Sequence, residues 1–327
     1  MQSMKWSREV LVSGFVLAFA VFAPSFPALR AQIFDTNDLW LKIALTNNVA
    51  VFTIHDPATN ANGVYDLYFK TNLTDNQDWT WLLRNGPGQT NLAVSNLPPG
   101  QAFFRLGVTN AIRPGFDQQF LDRNDDGSTG IVPIGFLINY FGSSNATLYV
   151  NNNGNVTFDS SQSAYTPSAL NSLKSRIIAP YWADVDTRGT GSDVVKYGTN
   201  MVDGHVAFGV DWVNVGYYQS HADKLLSCQL VIIDRSDIAP GDFDMEFNYF
   251  KVQWETGDAS SGVNGLGGSS ARAGYASVSG STFELDGSGV PGSFLDTNVV
   301  TGLIYQSLNS SVPGRYIFYF RDGEPLP

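Results

Sequence analysis

The chain has 327 residues, with 19 Lys and Arg against 30 Asp and Glu, for a formal net charge of −11. Basic side chains supply most of the attraction to nucleic-acid phosphates and anionic membranes, so this balance excludes both as partners. Aromatic residues reach 13% while charged residues are only 15%, a composition that suits short strands joined by polar turns.

The first segment reads as an export leader. Lys5 and Arg8 form a basic start, residues 10–22 are almost wholly apolar, and small residues follow at Ala28 and Ala31. This is the pattern of a signal peptide over residues 1–31, cleaved after Ala31. The rival reading is an uncleaved anchor, but the apolar run is shorter than the about 20 residues a spanning helix needs. No later stretch is long and apolar enough to span a bilayer, so no transmembrane segment is expected in the mature chain. The leader carries Lys5, Arg8 and Arg30 against Glu9, so its removal leaves the remainder more acidic still. Cys228 is the one cysteine, so an exported chain of this kind forms no internal disulfide and depends on its core.

Beyond the leader, polar–apolar alternation dominates. Residues 64–70, 79–84 and 102–107 read as strands separated by Asn, Gly and Pro clusters, and they predict a small β-sandwich over residues 32–110. Residues 110–115, with Pro114, form the boundary to a larger β domain over residues 115–327. There, residues 134–141, 147–150 and 155–158 read as strands, and Asn153-Gly154 signals a two-residue hairpin of type I′, which needs φ > 0 twice. Residues 168–173 suggest one short helix with Ser168 as N-cap. Residues 225–233 are nearly continuously apolar and predict a strand buried on both faces.

Next, Phe243, Met245, Phe247 and Tyr249 alternate with Asp242, Asp244, Glu246 and Asn248, after which the apolar phase moves to Phe250, Val252 and Trp254. Such a shift turns the wrong face inward unless one residue is absorbed, so a bulge is expected near Tyr249 and Phe250. The acidic side of this strand is expected to face solvent. A Gly/Ser-rich connection spans residues 257–270, and strands resume at 273–276 and, strongly aromatic, at 315–321.

Residues 178–188 read Ile-Ala-Pro-Tyr-Trp-Ala-Asp-Val-Asp-Thr-Arg. Before them comes Leu-Tyr-Val-Asn-Asn-Asn-Gly-Asn-Val-Thr-Phe at 148–158. After them come Phe-Gly-Val-Asp-Trp-Val-Asn-Val-Gly at 208–216, Phe-Asn-Tyr-Phe-Lys-Val-Gln-Trp-Glu-Thr-Gly at 247–257 and Ala-Gly-Tyr-Ala at 273–276. In that order these motifs resemble the nidogen-type extracellular (NIDO) domain over roughly residues 116–322. The resemblance implies a β-rich extracellular domain associated with cell–matrix adhesion, and it brings no catalytic residues. The chain lacks cysteine-rich companion modules and is similar in this to the simpler exported NIDO proteins of bacteria. The expectation is a secreted or cell-surface, non-enzymatic binding protein whose ligand is an extracellular protein or glycan. The fold class expected is all-β, a small N-terminal β-sandwich followed by a larger NIDO-like β-sandwich.

Two acidic groups invite a sharper reading. Asp184 and Asp186 sit two apart, so on a strand they share a face, where a carboxylate pair can bind calcium or run acid–base chemistry. The structural alternative is that they accept from turn amides and pair with Arg188 or Arg176. Asp122, Asn124 and Asp126 occupy positions one, three and five of a six-residue run closed by Gly127, like the start of a calcium loop. The twelfth position is Pro133, where an EF-hand needs Glu, so an Asx turn competes. Calcium is thus the one cofactor considered, with Asp184, Asp186, Asp122, Asn124 and Asp126 as candidate ligands.

Hydrolase signals are weak. No Gly-x-Ser-x-Gly elbow occurs, and His55, His205 and His221 are the only imidazoles. Cys228 lies in an apolar run and reads as a buried hydrophobe. Residues 262–268 are Gly-rich but carry no Lys and open no helix, which argues against phosphate binding. Trp79, Trp81, Tyr217 and Tyr218 are candidate platforms for sugar rings, which keeps a carbohydrate-binding module as the alternative. A glycoside hydrolase would need two carboxyls facing across a cleft at about 5–10 Å. Asn72, Asn145, Asn155 and Asn309 match the glycosylation pattern.

Overall fold

The computed structural model describes residues 16–21, 40–46, 49–55, 65–72, 79–86, 89–95, 101–107 and 110–326. Their regular elements are strands apart from two three-residue 3-10 turns, so the chain is all-β as expected. It divides into two units, Met1–Thr109 and Asn110–Pro327. No helix among the described residues is long and apolar enough to cross a membrane.

The first unit contains β1 (Val16–Val21), β2 (Trp40–Thr46), β3 (Val49–His55), β4 (Asp66–Lys70), β5 (Thr80–Arg84), β6 (Asn91–Ser95) and β7 (Gln101–Gly107). One sheet runs β1-β7-β4-β5 and the other β2-β3-β6. Leu41, Phe52, Ile54 and Leu92 of the second sheet share a buried cluster with Leu67, Phe104 and Leu106 of the first. Phe52 and Phe104 meet edge to face at 4.8 Å, so the unit is a sandwich closed by alternate inward side chains. β1 falls within the expected export leader and pairs antiparallel with β7; the rest of residues 1–31 lies outside the described residues.

The second unit contains β8 (Gln119–Phe120), β9 (Val132–Tyr140), β10 (Ser143–Asn151), β11 (Asn155–Thr157), β12 (Ile177–Trp182), β13 (Val185–Asp186) and β14 (Lys196–Val202). It continues with β15 (His205–Tyr217), β16 (His221–Asp234), β17 (Phe243–Val252), β18 (Arg272–Ala276), β19 (Thr282–Glu284), β20 (Arg315–Arg321) and β21 (Glu324–Pro325). A six-stranded sheet runs β19-β18-β12-β11-β10-β9. The other sheet runs β21-β20-β17-β16-β15-β14-β8, with β13 paired to β15.

The phase shift in β17 has the expected cause: Ser227 pairs with Lys251 and Cys228 with Tyr249, so Phe250 is skipped. Tyr249 on one side and Val252 and Trp254 on the other all remain buried. The helix expected at 168–173 is only a 3-10 turn over Leu170–Ser172, with Ala169 rather than Ser168 at its start. Leu173 leaves it already extended. The β10–β11 hairpin forms, but through three residues, 152–154. Of these only Gly154 has positive φ, +74°, so the turn is not type I′. A Cβ at Gly154 would lie 1.7 Å from the Tyr181 carbonyl oxygen, which leaves room for no other residue.

The two sheets of the second unit are stitched by a reciprocal pair of tyrosines. Pro180 lies where the β12–β18 register is interrupted, between Ala179 and Trp182, as a residue without an N–H requires inside a sheet. Its carbonyl instead accepts from Tyr249 of the opposite sheet at 2.6 Å. In return Tyr181 donates to the Trp254 carbonyl at 2.6 Å. Tyr140 donates to the Ile177 carbonyl at 2.8 Å. All three hydroxyls are buried, so each bond satisfies an acceptor that water cannot reach.

The outer face of the larger sheet corrects one expectation. Asp242, Asp244 and Glu246 were expected in solvent, but they are buried at 3%, 7% and 2% exposure. The chain at 110–118 folds over this face. Phe116 packs where a Cβ on Gly209 would come within 2.4 Å of its ring. Arg113 forks onto Glu246 at 2.7 and 2.8 Å. Arg235 and Arg321 hold Asp244 at 2.7 and 2.6 Å. Beside them Asp211, Gln229, Asn248 and Arg315 are register partners in turn across four strands and are joined by hydrogen bonds of 2.7 to 3.0 Å. Burial by itself would raise the Glu246 carboxyl, but the Arg113 fork and the Arg315 charge more than offset it and hold it below its ordinary value.

Two outcomes follow. Tyr249→Phe, which leaves the Pro180 carbonyl without a donor, is expected to lose about 1–3 kcal/mol in urea denaturation. Arg113→Met is expected to lose about 3 kcal/mol at pH 7, because a buried carboxylate loses its principal partner. Glu246 has a depressed folded pKa, so its contribution is complete above the ordinary Glu value of 4.5 and fades as pH falls through it. The gap between wild type and Arg113→Met should therefore narrow on acidification; a gap that stays constant to pH 3 would contradict this assignment.

Candidate functional site

Three chain segments converge beyond the end of β12. The first is the turn at 122–127, the second the loop 152–154, and the third is Ala183 and Asp184 leading into β13. Backbone bonds fix all three. Asn152 donates to the Gly127 carbonyl at 2.9 Å, Thr187 to that of Asn124 at 3.0 Å, and Tyr181 to that of Gly154 at 3.1 Å. The buried Asn side chains complete the crosslink. Asn153 Oδ1 accepts from the Val185 N–H at 3.0 Å, and its Nδ2 donates to Asp126 Oδ1 at 2.8 Å. Asn152 Nδ2 donates to the Val185 carbonyl at 2.5 Å and to that of Asp125.

This arrangement brings Asp125, Asp126 and Asp184 together, with one oxygen of each lying within 4.8 Å of the others. Of the five residues singled out in the sequence, Asp184 and Asp126 are in the group. Asp186 is not: it is fully buried and occupied by Arg188, which reaches it through Nε at 2.9 Å, Nη2 at 2.6 Å and its own N–H at 2.9 Å. The Ser220 N–H adds a fourth donor at 2.8 Å. Asn124 is spent on its own turn, its Oδ1 accepting from the Gly127 N–H three residues on at 2.6 Å. Asp122 is exposed and lines a shallow surface hollow with Asp117, Arg123 and Lys196. Asp125, which joins the group, had no signal of its own in the sequence, since it stands at position four of the presumed loop.

The electrostatics of these acids diverge. Burial, followed by the charges of Asp125, Asp126, Asp186 and Asp258, pushes Asp184 up to about 7. Burial also pushes Asp125 up to about 6, with Asp186 and Asp126 adding and Arg188 partly offsetting. For Asp186 burial acts upward too, but Arg188 and the amides of Arg188 and Ser220 more than offset it and hold the carboxyl below its ordinary value.

Three buried acceptors at this place have no donor: Asp184 Oδ2, Asp125 Oδ1 and Asn152 Oδ1. A buried acceptor left this way costs about 1–3 kcal/mol, more if charged. Asp184 is only 2% exposed, and a Cβ on Gly257 would lie 2.3 Å from its Oδ2. The Gly257 backbone thus packs directly against this carboxylate.

The other candidates are engaged elsewhere. His221 contacts Asp258 at 3.1 Å and stacks on Tyr217 at 4.8 Å, while the Tyr217 hydroxyl donates to Asp223 at 2.8 Å. Cys228 is buried, which pushes its thiol well up. Among the sugar-platform candidates Tyr217 is buried and Trp79 and Trp81 are half-buried. Arg105 lies over the rings of Tyr68 and Trp79 at 4.8 and 5.1 Å, and Trp81 donates to Asp66 at 2.8 Å. Asn145 and Asn155 are buried, which removes them as glycan acceptors.

Asp186→Asn is expected to lower stability by about 1–3 kcal/mol through its Arg188 and Ser220 bonds. Asp122→Asn should stay within about 0.5 kcal/mol. Urea denaturation of the two variants checks this; equal losses would contradict the distinction between them.

Comparison with known proteins adds to this geometry. Residues 146–322 match the profile of the nidogen-like domain. The chain is 30% identical to alpha-tectorin of Mus musculus and of Homo sapiens over 218 residues, and to that of Gallus gallus over 217. Each alignment covers 59% of this chain and 10% of the relative, so the chain spans about a tenth of the curated relatives it matches. No solved structure matches it.

Proposed function

We propose, since this chain belongs to the nidogen-like domain family, that it acts outside the cell as a non-enzymatic binding protein of the cell–matrix adhesion type. The observation that carries this reading is the nidogen-like match across residues 146–322, which spans most of the sandwich from β10 to β20. A fold alone does not assign a function, so the site must agree with it. Of the carboxylates that cluster, Asp184 is buried against Gly257, and the imidazole of His221 is tied to Asp258. Both arrangements favour a structural role over turnover. The export leader over residues 1–31 and a mature chain retained outside the cell belong to the same reading, as does a ligand that is an extracellular protein or glycan.

The carbohydrate-binding alternative draws less support. Trp182, Trp212 and Trp254 are buried, and their indole N–H groups donate to the carbonyls of Ala164, Asn152 and Val215. Trp79 has the Arg105 guanidinium over its ring.

The full chain, applied to surfaces coated with an extracellular-matrix extract, is expected to bind saturably. Protease treatment of the coat should abolish that binding. Loss on glycosidase treatment alone would favour the glycan reading, and no saturable retention on either coat would contradict the proposal.

A further inference from the structure

We infer that Asp125, Asp126 and Asp184, together with the Asn152 side-chain carbonyl, form a binding site for one calcium ion that clamps three chain segments together. The acidic cluster alone would not carry this. The independent observation is Asn152, a neutral residue fully buried, whose Oδ1 has no donor. Its Nδ2 bonds to the backbone carbonyls of Asp125 and Val185 and so holds the amide between the loop that carries Asp125 and the residue following Asp184. The partnerless Oδ1 of Asp125 and Oδ2 of Asp184 complete a set of buried acceptors from three separate segments. Acceptors gathered without donors are what a cation satisfies and a hydrogen-bond network does not.

The donor chemistry selects the ion. Every ligand offered is a carboxylate or amide oxygen, with no His or Cys in the group, which favours a hard cation over zinc or copper. Calcium holds oxygens at about 2.3–2.6 Å, so ligands on opposite sides of it lie up to about 5 Å apart. Carboxylate oxygens within 4.8 Å of one another fit that span, whereas the tighter shell of magnesium would require them to close in. Charge agrees. Asp125 and Asp186 share the guanidinium of Arg188, and Asp126 and Asp184 add two further carboxylates beside Asp125, leaving a local excess that a divalent ion reduces. Arg188 takes Asp125 Oδ2 at 3.0 Å and leaves Oδ1 free for the ion. Water reaching the half-buried Asp125 and Asp126 completes the shell.

The site straddles the edge of the family match: Asn152 and Asp184 lie within residues 146–322, whereas Asp125 and Asp126 precede them, so the ion would tie the segment at 122–127 onto the matched domain.

The test uses the full chain stripped with chelator. At free calcium about a hundred times Kd, the melting temperature is expected to rise by about 5 °C or more, with a smaller rise in the same concentration of magnesium. Trp212 donates its indole N–H to the carbonyls of Asn151 and Asn152 at 3.2 and 3.0 Å. Terbium bound at the site should therefore luminesce on tryptophan excitation and be displaced by calcium. Asp184→Asn should lose both responses. Asp126→Asn, on the partly exposed loop, serves the same purpose if the first variant fails to fold, while Asp159→Asn at the distant pair with Arg176 should keep both. An unchanged melting temperature without calcium-displaceable terbium emission would overturn the site, as would full responses in Asp126→Asn. An equal response to magnesium would overturn the choice of calcium.

Discussion

The nidogen-like domain depends on how β12 is held. A strand in the middle of a sheet normally spends its backbone groups on its neighbours, but Pro180 has no N–H, and the register with β18 breaks around it. The carbonyl freed there is taken by Tyr249, and the next residue, Tyr181, returns a hydroxyl to Trp254. Two hydrogen bonds in opposite directions thus lock the sheets in one relative position, inside a core too dry for either group to be left unpaired. The same strand presses its Tyr181 carbonyl against Gly154 and delivers Asp184 and Asp186 at its end. Sandwich and acidic site therefore share one anchor.

Much of the strand pattern was legible because it is a local property. The bulge at Phe250 shows in the sequence as a change of apolar phase within one strand, and the structure puts the skipped residue there. The aromatic run at 315–321 became a core strand for the same reason. The errors lie where a distant partner decides. Asp244 and Glu246 alternate with apolar residues as a solvated face would, but Arg113, 133 positions before Glu246, brings the covering segment over them. The Asn153-Gly154 turn departs from type I′ because the Asn153 side chain is used by Val185 and Asp126, which keeps its backbone out of the left-handed region.

The acidic site was half legible. Asp184 was visible beside Asp186, but their equal spacing conceals opposite fates. Asp186 meets Arg188 and two backbone amides, whereas Asp184 meets other acids and no donor for its Oδ2. Nothing in the spacing of a loop tells whether position four or position one turns inward, and here Asp125 does while Asp122 stays exposed. The run Asn151-Asn152-Asn153 looked like turn composition. Its buried amides instead bind the 122–127 turn to β13, which makes the Asn run part of the site rather than a spacer.

Calcium sites of extracellular modules are tuned to about 0.1–1 mM ion, and this domain carries a place where buried oxygens are gathered without a donor. The most direct test is a crystal structure of the full chain grown with calcium, using the anomalous signal of the ion. A peak with Asp125, Asp126, Asp184 and Asn152 oxygens at about 2.3–2.6 Å is the predicted result. Density showing only water there, or Arg188 turned from Asp186 onto Asp184, would contradict the account.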